Sequence, residues 1–360
     1  MDDILRPKKK FSAKGFEWTE KKINSKKLEY ILSNYNLNFY LAKSLASRDV
    51  EINSVNNFLF PKIKNNLPNP SILYGLDDAT TQIVEIINSK KKIGLIGDFD
   101  VDGITSTAIF CRFLKKLGTP FKYYIPDRIK DGYGPNLKAI YELHNQFNCD
   151  LIITLDCGIS SLKEINKARE KGIPIIVVDH HKQLDKLPNA TAIINPNQHI
   201  DDSNLSNLCA VGVTFMLLIS IRRKLLEKKY FKNEDILNLV EVLDLVALGT
   251  VCDLVKQDIY NRSILSTGLK VINKTKNIGI EALIKVSGLK EHIINEYHLG
   301  FVLGPRINAG GRLRSGSIGV ELLLSESKSK TFSIAEKLNE LNIKRKKNRK
   351  ICRIGGNKFS

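Results

Sequence analysis

Residues 92–103 read KIGLIGDFDVDG. The first half of this stretch is mostly apolar and carries two glycines, which predicts a short buried β-strand. Three aspartates follow at once, Asp98, Asp100 and Asp102, and the chain then continues into a segment with helical periodicity. A strand, a polar turn and a helix in this order are typical of the first unit of a parallel α/β sheet.

The same alternation of apolar strand and amphipathic helix continues along the chain. We predict strands at 92–97, 122–126, 150–155 and 173–178, and helices at 104–117, 137–146 and 162–171. Because parallel strands need crossover helices between them, the pattern predicts an α/β fold with a doubly wound, mainly parallel sheet. A mostly helical part at about 208–284 and one long basic helix at about 325–353 follow the sheet.

We divide the chain into three predicted segments. Residues 1–70 form an N-terminal helical extension, helical near 28–47, which ends in a linker rich in proline and asparagine. Residues 71–327 form the α/β domain. Residues 328–360 form the basic connecting helix.

The composition is that of an ordinary globular protein. Hydrophobic residues make up 42% and charged residues 26% of the 360 residues, which excludes the fibrous and mostly disordered classes. No apolar run is long enough to cross a bilayer, and the N-terminus lacks a secretory signal, so we expect a cytoplasmic protein without a membrane partner. The six cysteines are scattered without a C-x-x-C pair, which argues against a zinc ribbon and against a disulfide framework.

The chain carries a large excess of positive charge. Its formal net charge is +18, and about half of this excess lies in residues 328–360, where eleven Lys and Arg residues face two Glu residues. A solvated helix face explains part of such a pattern. A polyanionic partner such as nucleic acid explains it as well.

Two further polar sites follow apolar strands. Asp156 ends the run LIITLD, and Asp179, His180 and His181 follow the run IPIIVV. Each site alone has a structural explanation, as a helix N-cap or as surface histidines. However, ligands of doubly wound sheets bind outside the carboxyl ends of the strands, so the convergence of these sites favours a functional centre. Asp253, at the end of an apolar helical run, is a weaker candidate.

The residue types at these sites favour a divalent cation. Asp-x-Asp-x-Asp-Gly also opens an EF-hand loop, but Ile109 stands where that loop needs Glu, and a strand enters the motif. Carboxylates with one or two imidazoles and no thiolate suit Mn²⁺ or Mg²⁺. Five or six such ligands are enough for two ions, which together activate water for attack on a phosphoryl centre. The ligand set therefore predicts hydrolysis of a phosphoester or phosphoanhydride.

The chain resembles the DHH phosphoesterases, a family named after its Asp-His-His motif. The motifs that carry the resemblance are GDFDVDG at 97–103, LDCG at 155–158, VDHH at 178–181 and VCD at 251–253. Two longer strings, PDRIKDGYGPN at 126–136 and LGPRINAGGRL at 303–313, resemble the branch of the family that consists of single-stranded-DNA-specific exonucleases. The resemblance covers about residues 73–341.

This resemblance implies a set of site residues. The metal ions would be held by Asp98, Asp100, Asp102, Asp156, His180 and Asp253. Asp179 and His181 would orient these ligands and contact the scissile phosphate. The DNA backbone would be bound by Arg128, Tyr133, Arg306, Asn308 and Arg312, and guanidinium groups suit bidentate contacts to phosphate.

The resemblance also implies an activity, in which two Mn²⁺ or Mg²⁺ ions serve 5′-to-3′ digestion of single-stranded DNA to 5′-mononucleotides in recombination and repair. Its implied partners are single-stranded DNA, a single-strand-binding protein and a helicase. Two alternatives stay open: a phosphodiesterase for short oligonucleotides or cyclic dinucleotides, and a DNA-binding remnant without turnover. Because family members continue into DHHA1-type and OB-type domains, the resemblance implies a chain truncated after the connecting helix.

Overall fold

The computed structural model describes residues 11–13, 15–17, 19–48, 50–128, 131–290, 293–313 and 316–356, without the side chains of residues 312, 313 and 348–356. The chain divides into two compact units, Met1–Pro61 and Lys62–Ser360. In the first unit, three α-helices are described: α1 (Ser25–Asn34), α2 (Phe39–Ala46) and α3 (Val55–Leu59).

The first unit is held by a small apolar core. The helical stretch predicted near 28–47 consists of two helices, because the side chains of Asn24 and Asn38 accept hydrogen bonds from the first turns of α1 and α2 and so start each helix separately. Ile31, Ala42 and Val55 are fully buried between the three helices.

The second unit is built on a five-stranded parallel sheet with the order β2-β1-β3-β4-β5. The strands are β1 (Ile93–Gly97), β2 (Phe121–Tyr124), β3 (Leu151–Leu155), β4 (Ile175–Val178) and β5 (Ala192–Ile194). The first four match the predicted strands. The fifth was not predicted, since a strand of three residues is too short to show a pattern.

Helices follow the strands and extend beyond them. The α-helices of the second unit are α4 (Ile63–Asn66), α5 (Leu76–Asn88), α6 (Val101–Lys116), α7 (Leu137–Tyr141), α8 (Leu162–Glu170), α9 (Ala210–Glu227), α10 (Leu243–Cys252), α11 (Ile259–Ile272), α12 (Ile278–Val286), α13 (Gly304–Leu313), α14 (Ser317–Leu324) and α15 (Lys328–Gly356). Within the described residues, one π-helical segment spans Glu142–Gln146 and another spans His298–Leu303. Short 3₁₀ turns lie at Pro70–Ile72, Asn233–Asp235 and Leu239–Val242, and another, in the first unit, at Ile52–Ser54.

The sheet is covered on both faces, as predicted for a doubly wound fold. Alternate residues of β3 point to opposite sides, so that Ile153 joins the core formed with α5, α6 and α9, whereas Ile152 joins the core formed with α7 and α8. Every residue of β1, β3 and β4 is buried. The predicted fold class is confirmed.

The two long helical predictions are also found. The region predicted as mostly helical contains α9, α10, α11 and α12, and the basic helix α15 begins at Lys328, three residues after its predicted start. Among the described helices, none combines the length and the apolar character that crossing a membrane would require.

Close packing of α10 against α6 and α9 depends on Gly249. A Cβ atom at this position would lie 2.5 Å from Thr105 Oγ1 and 2.7 Å from Val211 Cγ1, so only glycine fits without a shift of the helices. The contact positions the C-terminal end of α10, and with it Asp253, against the N-terminal turns of α6 and α9.

We predict that Gly249→Ala lowers the free energy of unfolding by about 1–3 kcal/mol, because the added methyl group overpacks this contact. Gly212→Ala in α9 is the matched control, since its Cβ would meet only the flexible side chain of Leu208 at 3.3 Å. Alanine favours the helix at that site by about 0.5–1 kcal/mol. Chemical denaturation of both variants measures the difference, and equal stabilities would contradict the packing argument.

Candidate metal centre

Three aspartates stand immediately after three neighbouring strands, and the sheet itself fixes their positions. The backbone N–H groups of Asp98, Asp156 and Asp179 each donate a hydrogen bond to the last residue of the adjacent strand: Asp98 to Leu155 at 3.1 Å, Asp156 to Val178 at 2.9 Å and Asp179 to Ile194 at 3.0 Å. Each aspartate therefore extends the hydrogen-bonding pattern of the sheet by one residue. The three carboxylates emerge side by side at the carboxyl edge of the sheet, as the sequence predicted.

The loop after β1 folds tightly around its own aspartates. Asp100 is the N-cap of α6, and its side chain accepts hydrogen bonds from the N–H groups of Asp102 and Gly103 at 3.0 and 3.2 Å. A Cβ atom on Gly103 would lie 2.5 Å from the carbonyl oxygen of Asp98, so this glycine lets the helix start directly against the strand. Asp98 is thereby buried, with 4% of its surface exposed.

Asp102 is held by a second helix. Its two carboxylate oxygens accept hydrogen bonds from the N–H groups of Ala210 at 2.7 Å and Val211 at 2.8 Å, at the N-terminus of α9. Helix N-termini carry unpaired N–H groups and partial positive charge, which suit a carboxylate. Burial and the charges of Asp253 and Asp100 raise the pKa of Asp102, and the two N–H donors act against this shift.

Asp156 sits at a strained point of the backbone. Its φ angle of +64° lies in the left-handed region, which aspartate tolerates better than most residues. The next turn needs Gly158, whose φ is +115° and whose Cβ would lie 2.6 Å from Thr154 Oγ1. Burial and the neighbouring carboxylates raise the pKa of Asp156 well above its usual value.

Asp179 orients the two histidines that follow it. Its Oδ1 atom accepts hydrogen bonds from the N–H groups of His180 at 2.7 Å and His181 at 3.1 Å and lies 2.7 Å from His181 Nδ1, while Oδ2 accepts from the Ile159 N–H at 3.0 Å. Although burial raises the pKa of Asp179, the hydrogen bonds and charge of His181 outweigh it and hold the pKa below its usual value. The pKa of His181 is raised by the same hydrogen bond.

His180 points between the carboxylates. Its Nε2 atom lies 3.3 Å from Asp156 Oδ1, 3.7 Å from Asp253 Oδ2 and 3.8 Å from Asp102 Oδ2. Burial, followed by the charge of His181, lowers the pKa of His180 to about 4. The ring is therefore neutral at pH 7 and has a nitrogen free to bind a cation.

These side chains form three groups in which the candidate ligand atoms lie within 4.8 Å of one another. The groups are Asp98, Asp100 and Asp156; Asp156, His180 and His181; and Asp102, His180 and Asp253. Shared members join the three groups into one centre. All eight residues predicted for metal binding or catalysis lie in this centre or, for Asp179, in direct contact with it.

The centre fits divalent cations, because several of its buried polar atoms have no protein partner. Asp98 Oδ1, Asp156 Oδ1 and His180 Nε2 are buried and make no hydrogen bond within the described part of the chain. Burial and the charge of Asp100 raise the pKa of Asp98 to about 7 and that of Asp253 to about 6. Such crowding of carboxylates is relieved by a bound cation.

The nearby cysteines do not change this preference for hard cations. Cys157 and Cys209 are fully buried beside the centre, and burial raises the pKa of both thiols well above the usual value. They are thiols, not thiolates, at neutral pH. Oxygen and imidazole ligands without a thiolate suit Mn²⁺ and Mg²⁺.

Tyr133 and Arg128 border the centre together with Phe99. The Tyr133 hydroxyl lies 3.2 Å from the carbonyl oxygen of Asp156 and 3.4 Å from His181 Nε2. The ring of Phe99 meets that of Tyr133 edge to face, with 6.5 Å between the centroids, and the Arg128 guanidinium lies 5.2 Å from the Phe99 centroid. Two of the predicted DNA-binding residues thus flank the carboxylates.

The other predicted DNA-binding residues lie on α13. Arg306 is half-buried, and its guanidinium donates to Asn339 Oδ1 at 3.0 Å and to the Val302 carbonyl at 2.7 Å, so it joins α13 to α15. Asn308 is half-buried on the same helix, and the side chain of Arg312 lies outside the described part of the structure. No contact that the structure describes joins Arg306 to the carboxylates.

Several positioning groups were not predicted. Asn195 and Asn197 follow β5, and their amide groups donate to the carbonyl oxygens of His181 at 2.9 Å and His180 at 2.5 Å, respectively. The motif Asn-Pro-Asn after a short apolar run was the available signal. Phe99 and the N–H donors of α9 were also missed, because their roles arise from tertiary contacts only.

Comparison with known proteins identifies similar chains. A model of the DHH family, N-terminal domain, matches residues 92–250. The chain is 40% identical over 280 residues to the single-stranded-DNA-specific exonuclease RecJ of Haemophilus influenzae, which covers 77% of this chain and 48% of that protein. The chain thus spans about half the length of the curated relatives it matches.

Comparison with solved structures also identifies RecJ exonucleases as similar chains. The crystal structure of an exonuclease RecJ bound to manganese is 30% identical and superposes with a TM-score of 0.67, covering 76% of this chain and 67% of that one. The structure of RecJ from Thermus thermophilus in complex with Mn²⁺ is 25% identical, with a TM-score of 0.71 over 90% of this chain and 45% of that one.

We predict that the metal-free protein loses stability as the pH rises from about 4 to about 7. The carboxyls of Asp98 and Asp253 titrate near 3.8 when unfolded but near 7 and near 6 when folded, so the folded state holds more protons in this range. Thermal unfolding in EDTA and with saturating Mn²⁺ measures the effect. Mn²⁺ should remove most of the pH dependence, and parallel curves under both conditions would contradict the assignment.

A pair of isosteric variants compares Asp98, whose Oδ1 has no partner among the described residues, with Asp102, which is hydrogen-bonded to α9. Asp98→Asn removes a crowded charge and should raise the thermal midpoint of the metal-free protein while weakening Mn²⁺ binding about 100-fold. In Asp102→Asn, an NH₂ group replaces one of the two oxygens that accept hydrogen bonds from the N–H groups of α9. This change should lower the free energy of unfolding by about 1–3 kcal/mol. Calorimetric melting and Mn²⁺ titration distinguish them, and equal midpoints for the two variants would refute the different roles.

Proposed function

The chain belongs to the DHH family as a relative of the RecJ exonucleases, and on this basis we propose that it is a metal-dependent exonuclease for single-stranded DNA. The proposed reaction proceeds from the 5′ end and releases 5′-mononucleotides. The observation that carries the proposal is the joined cluster of buried carboxylates and a neutral imidazole, with partnerless ligand atoms, at the carboxyl edge of the sheet.

We propose that two Mn²⁺ or Mg²⁺ ions are held by Asp98, Asp100, Asp102, Asp156, His180 and Asp253. Relatives whose structures contain Mn²⁺ or Mg²⁺ support this choice. When bound, such a pair lowers the pKa of water and stabilises charge on the attacking and leaving oxygens of a phosphodiester.

The remaining side chains of the centre would position the substrate. His181 exposes about half of its side chain to solvent while Asp179 holds its Nδ1, so we propose that its Nε2 contacts a non-bridging phosphate oxygen of the substrate. A raised pKa keeps this ring cationic more often than a free histidine, which favours an anionic substrate. Asp179 is a positioning residue, because it acts through His181.

The aromatic and cationic border of the centre suits a single strand. Tyr133 is 56% exposed and offers both a ring face and a hydroxyl beside His181, and Arg128 is exposed above Phe99. Unpaired bases stack on aromatic rings, and guanidinium groups bind phosphates. We propose these residues as contacts to the strand, with Arg306, Asn308 and Arg312 as further backbone contacts on α13.

The proposed cellular setting is DNA recombination and repair. A single-strand-binding protein and a helicase are proposed partners, because a single-strand-specific enzyme needs its substrate exposed. A formal charge of +18 supports polyanion binding in this setting and predicts that DNA affinity falls with rising salt concentration.

The test uses the purified chain with Mn²⁺ and 5′-phosphorylated single-stranded DNA, alongside duplex DNA, pyrophosphate, short oligonucleotides and a cyclic dinucleotide. We expect 5′-mononucleotides from the single strand alone. A strand blocked at its 5′ end should persist, whereas one blocked at its 3′ end should be degraded.

Two protein variants, one at each end of strand β3, provide the control. Asp156→Ala should abolish hydrolysis, whereas Asp150→Ala removes an exposed acid at the opposite end of β3 and should leave the rate within about twofold of wild type. Equal rates for both variants would assign the activity to a contaminant. If the wild type binds Mn²⁺ and DNA without hydrolysis, the exonuclease proposal fails and the DNA-binding alternative takes its place.

A further inference from the structure

A second polar cleft lies far from the metal centre, at the opposite end of α6. It has a volume of about 540 Å³ and is lined by the C-terminal turns of α6, the start of α12 and the loop between α14 and α15. Arg112 lines it, ten residues after Asp102 on the same helix, which places the cleft about 15 Å along the helix axis from the carboxylates. The cleft is therefore a separate site.

The lining is strongly cationic. Four basic side chains, those of Arg112, Lys115, Lys116 and Lys276, contribute to it, against one carboxylate, that of Glu326. Glu326 is already engaged by Lys115, with 2.6 Å between the charged atoms. The other three cations are left without an acidic partner among the lining residues that the structure describes, so the cleft carries a net positive charge.

Arg112 contributes a half-buried guanidinium to the lining of the cleft. The residue is half-buried, and its Nη1 atom is shielded from solvent yet makes no hydrogen bond to any described residue. A guanidinium nitrogen left without an acceptor is costly unless a ligand supplies one. The charge of Arg112 acts on the buried carboxylate of Asp244, which already accepts a hydrogen bond from Thr275 Oγ1 at 2.8 Å.

The start of α12 adds to the positive potential. This nine-residue helix begins at the edge of the cleft, where Asn277 caps it by accepting from the N–H groups of Gly279 and Ile280. The helix dipole places partial positive charge at this end. Leu237, Ile278 and Leu323 also line the cleft, which therefore combines apolar surface with basic side chains.

We propose that this cleft binds a phosphate group of a nucleotide or of a nucleic-acid strand, through Arg112, Lys116 and Lys276. The guanidinium fork suits two phosphate oxygens, and the two lysines supply the charge that a dianion needs. The volume lies within the range of about 300–1,000 Å³ typical of small-molecule sites. In this proposal the apolar side chains of the lining contact the base or sugar attached to the phosphate.

The proposal rests on the geometry of the cleft, and only the choice of nucleotides as probes rests on the proposed function. Binding is therefore measured without catalysis, by calorimetric titration of the full chain in EDTA with dTMP, inorganic phosphate and a single-stranded oligonucleotide of thymidine. If the chain fails to hydrolyse DNA but binds dTMP here, the proposed function fails and this inference stands.

The test variant is Lys116→Gln combined with Lys276→Gln, because both side chains are exposed and we therefore expect the fold to stay intact. The matched control is Lys163→Gln combined with Lys167→Gln on α8, which removes the same charge from the opposite face of the sheet. We expect the affinity for dTMP to fall at least tenfold in the test variant and to stay within twofold of wild type in the control.

The probes distinguish the two sources of phosphate. Loss of dTMP and inorganic phosphate binding assigns the cleft to a small phosphoester. A different result assigns the cleft to a DNA strand: dTMP does not bind, and the test variant binds only the oligonucleotide more weakly than wild type does. In that case the slope of log affinity against log salt concentration should be smaller in magnitude by about 1.4 in the test variant than in wild type. Test and control variants that bind all probes alike would overturn the proposal.

Arg112 is tested in a separate variant, because deleting its side chain would remove the positive charge that acts on the buried Asp244 carboxylate. Arg112→Lys keeps the charge but loses the fork, so dTMP affinity should fall severalfold while the thermal midpoint stays within about 2 °C of wild type. Unchanged affinity in this variant, with the fold intact, would show that the guanidinium does not contact the ligand.

Discussion

The metal centre depends on one repeated backbone interaction. The N–H groups of Asp98, Asp156 and Asp179 each continue the parallel ladder by one hydrogen bond into the neighbouring strand. Because a parallel sheet aligns the carboxyl ends of all its strands, the three side chains must share one edge. A shift of register by one residue in any strand would turn its aspartate toward the opposite face and break the cluster apart.

Gathering so many carboxylates in a buried place is unfavourable, and the chain limits this cost in different ways. Asp102 accepts two backbone hydrogen bonds from the N-terminus of α9, and the carboxylate of Asp179 is held by His181 and by backbone N–H donors. Asp98 and Asp156 are left with oxygens that no described residue satisfies. Asp98 and Asp156 therefore have oxygen atoms available to cations, whereas Asp102 combines its hydrogen bonds to α9 with a place in the same cluster of ligand atoms.

Helix α6 links the two polar regions of the second unit. Its N-terminus carries the acidic loop and its C-terminus carries the cations of the second cleft, so the helix presents opposite charges at its two ends. Glycines allow close packing around its first turns, as shown by the contact of Gly249 with Thr105. The same rigid helix thus fixes the spacing between the metal centre and the proposed phosphate site.

The amino-acid sequence by itself determined the alternation of strands and helices and the position of each acidic residue at a strand end, because apolar periodicity and strand length are local properties. It also indicated the ligand types, and hence hard divalent cations. Only the tertiary structure decided how these residues are used. The hydrogen bonds from α9 to Asp102, the amide contacts from Asn195 and Asn197 to the histidine loop, and the engagement of Arg306 by Asn339 join residues distant in sequence, so no local pattern reveals them. The Arg112 Nη1 atom, which has no hydrogen-bond partner among the described residues, is likewise revealed only by the packing of the helices, since burial is a property of the packed chain.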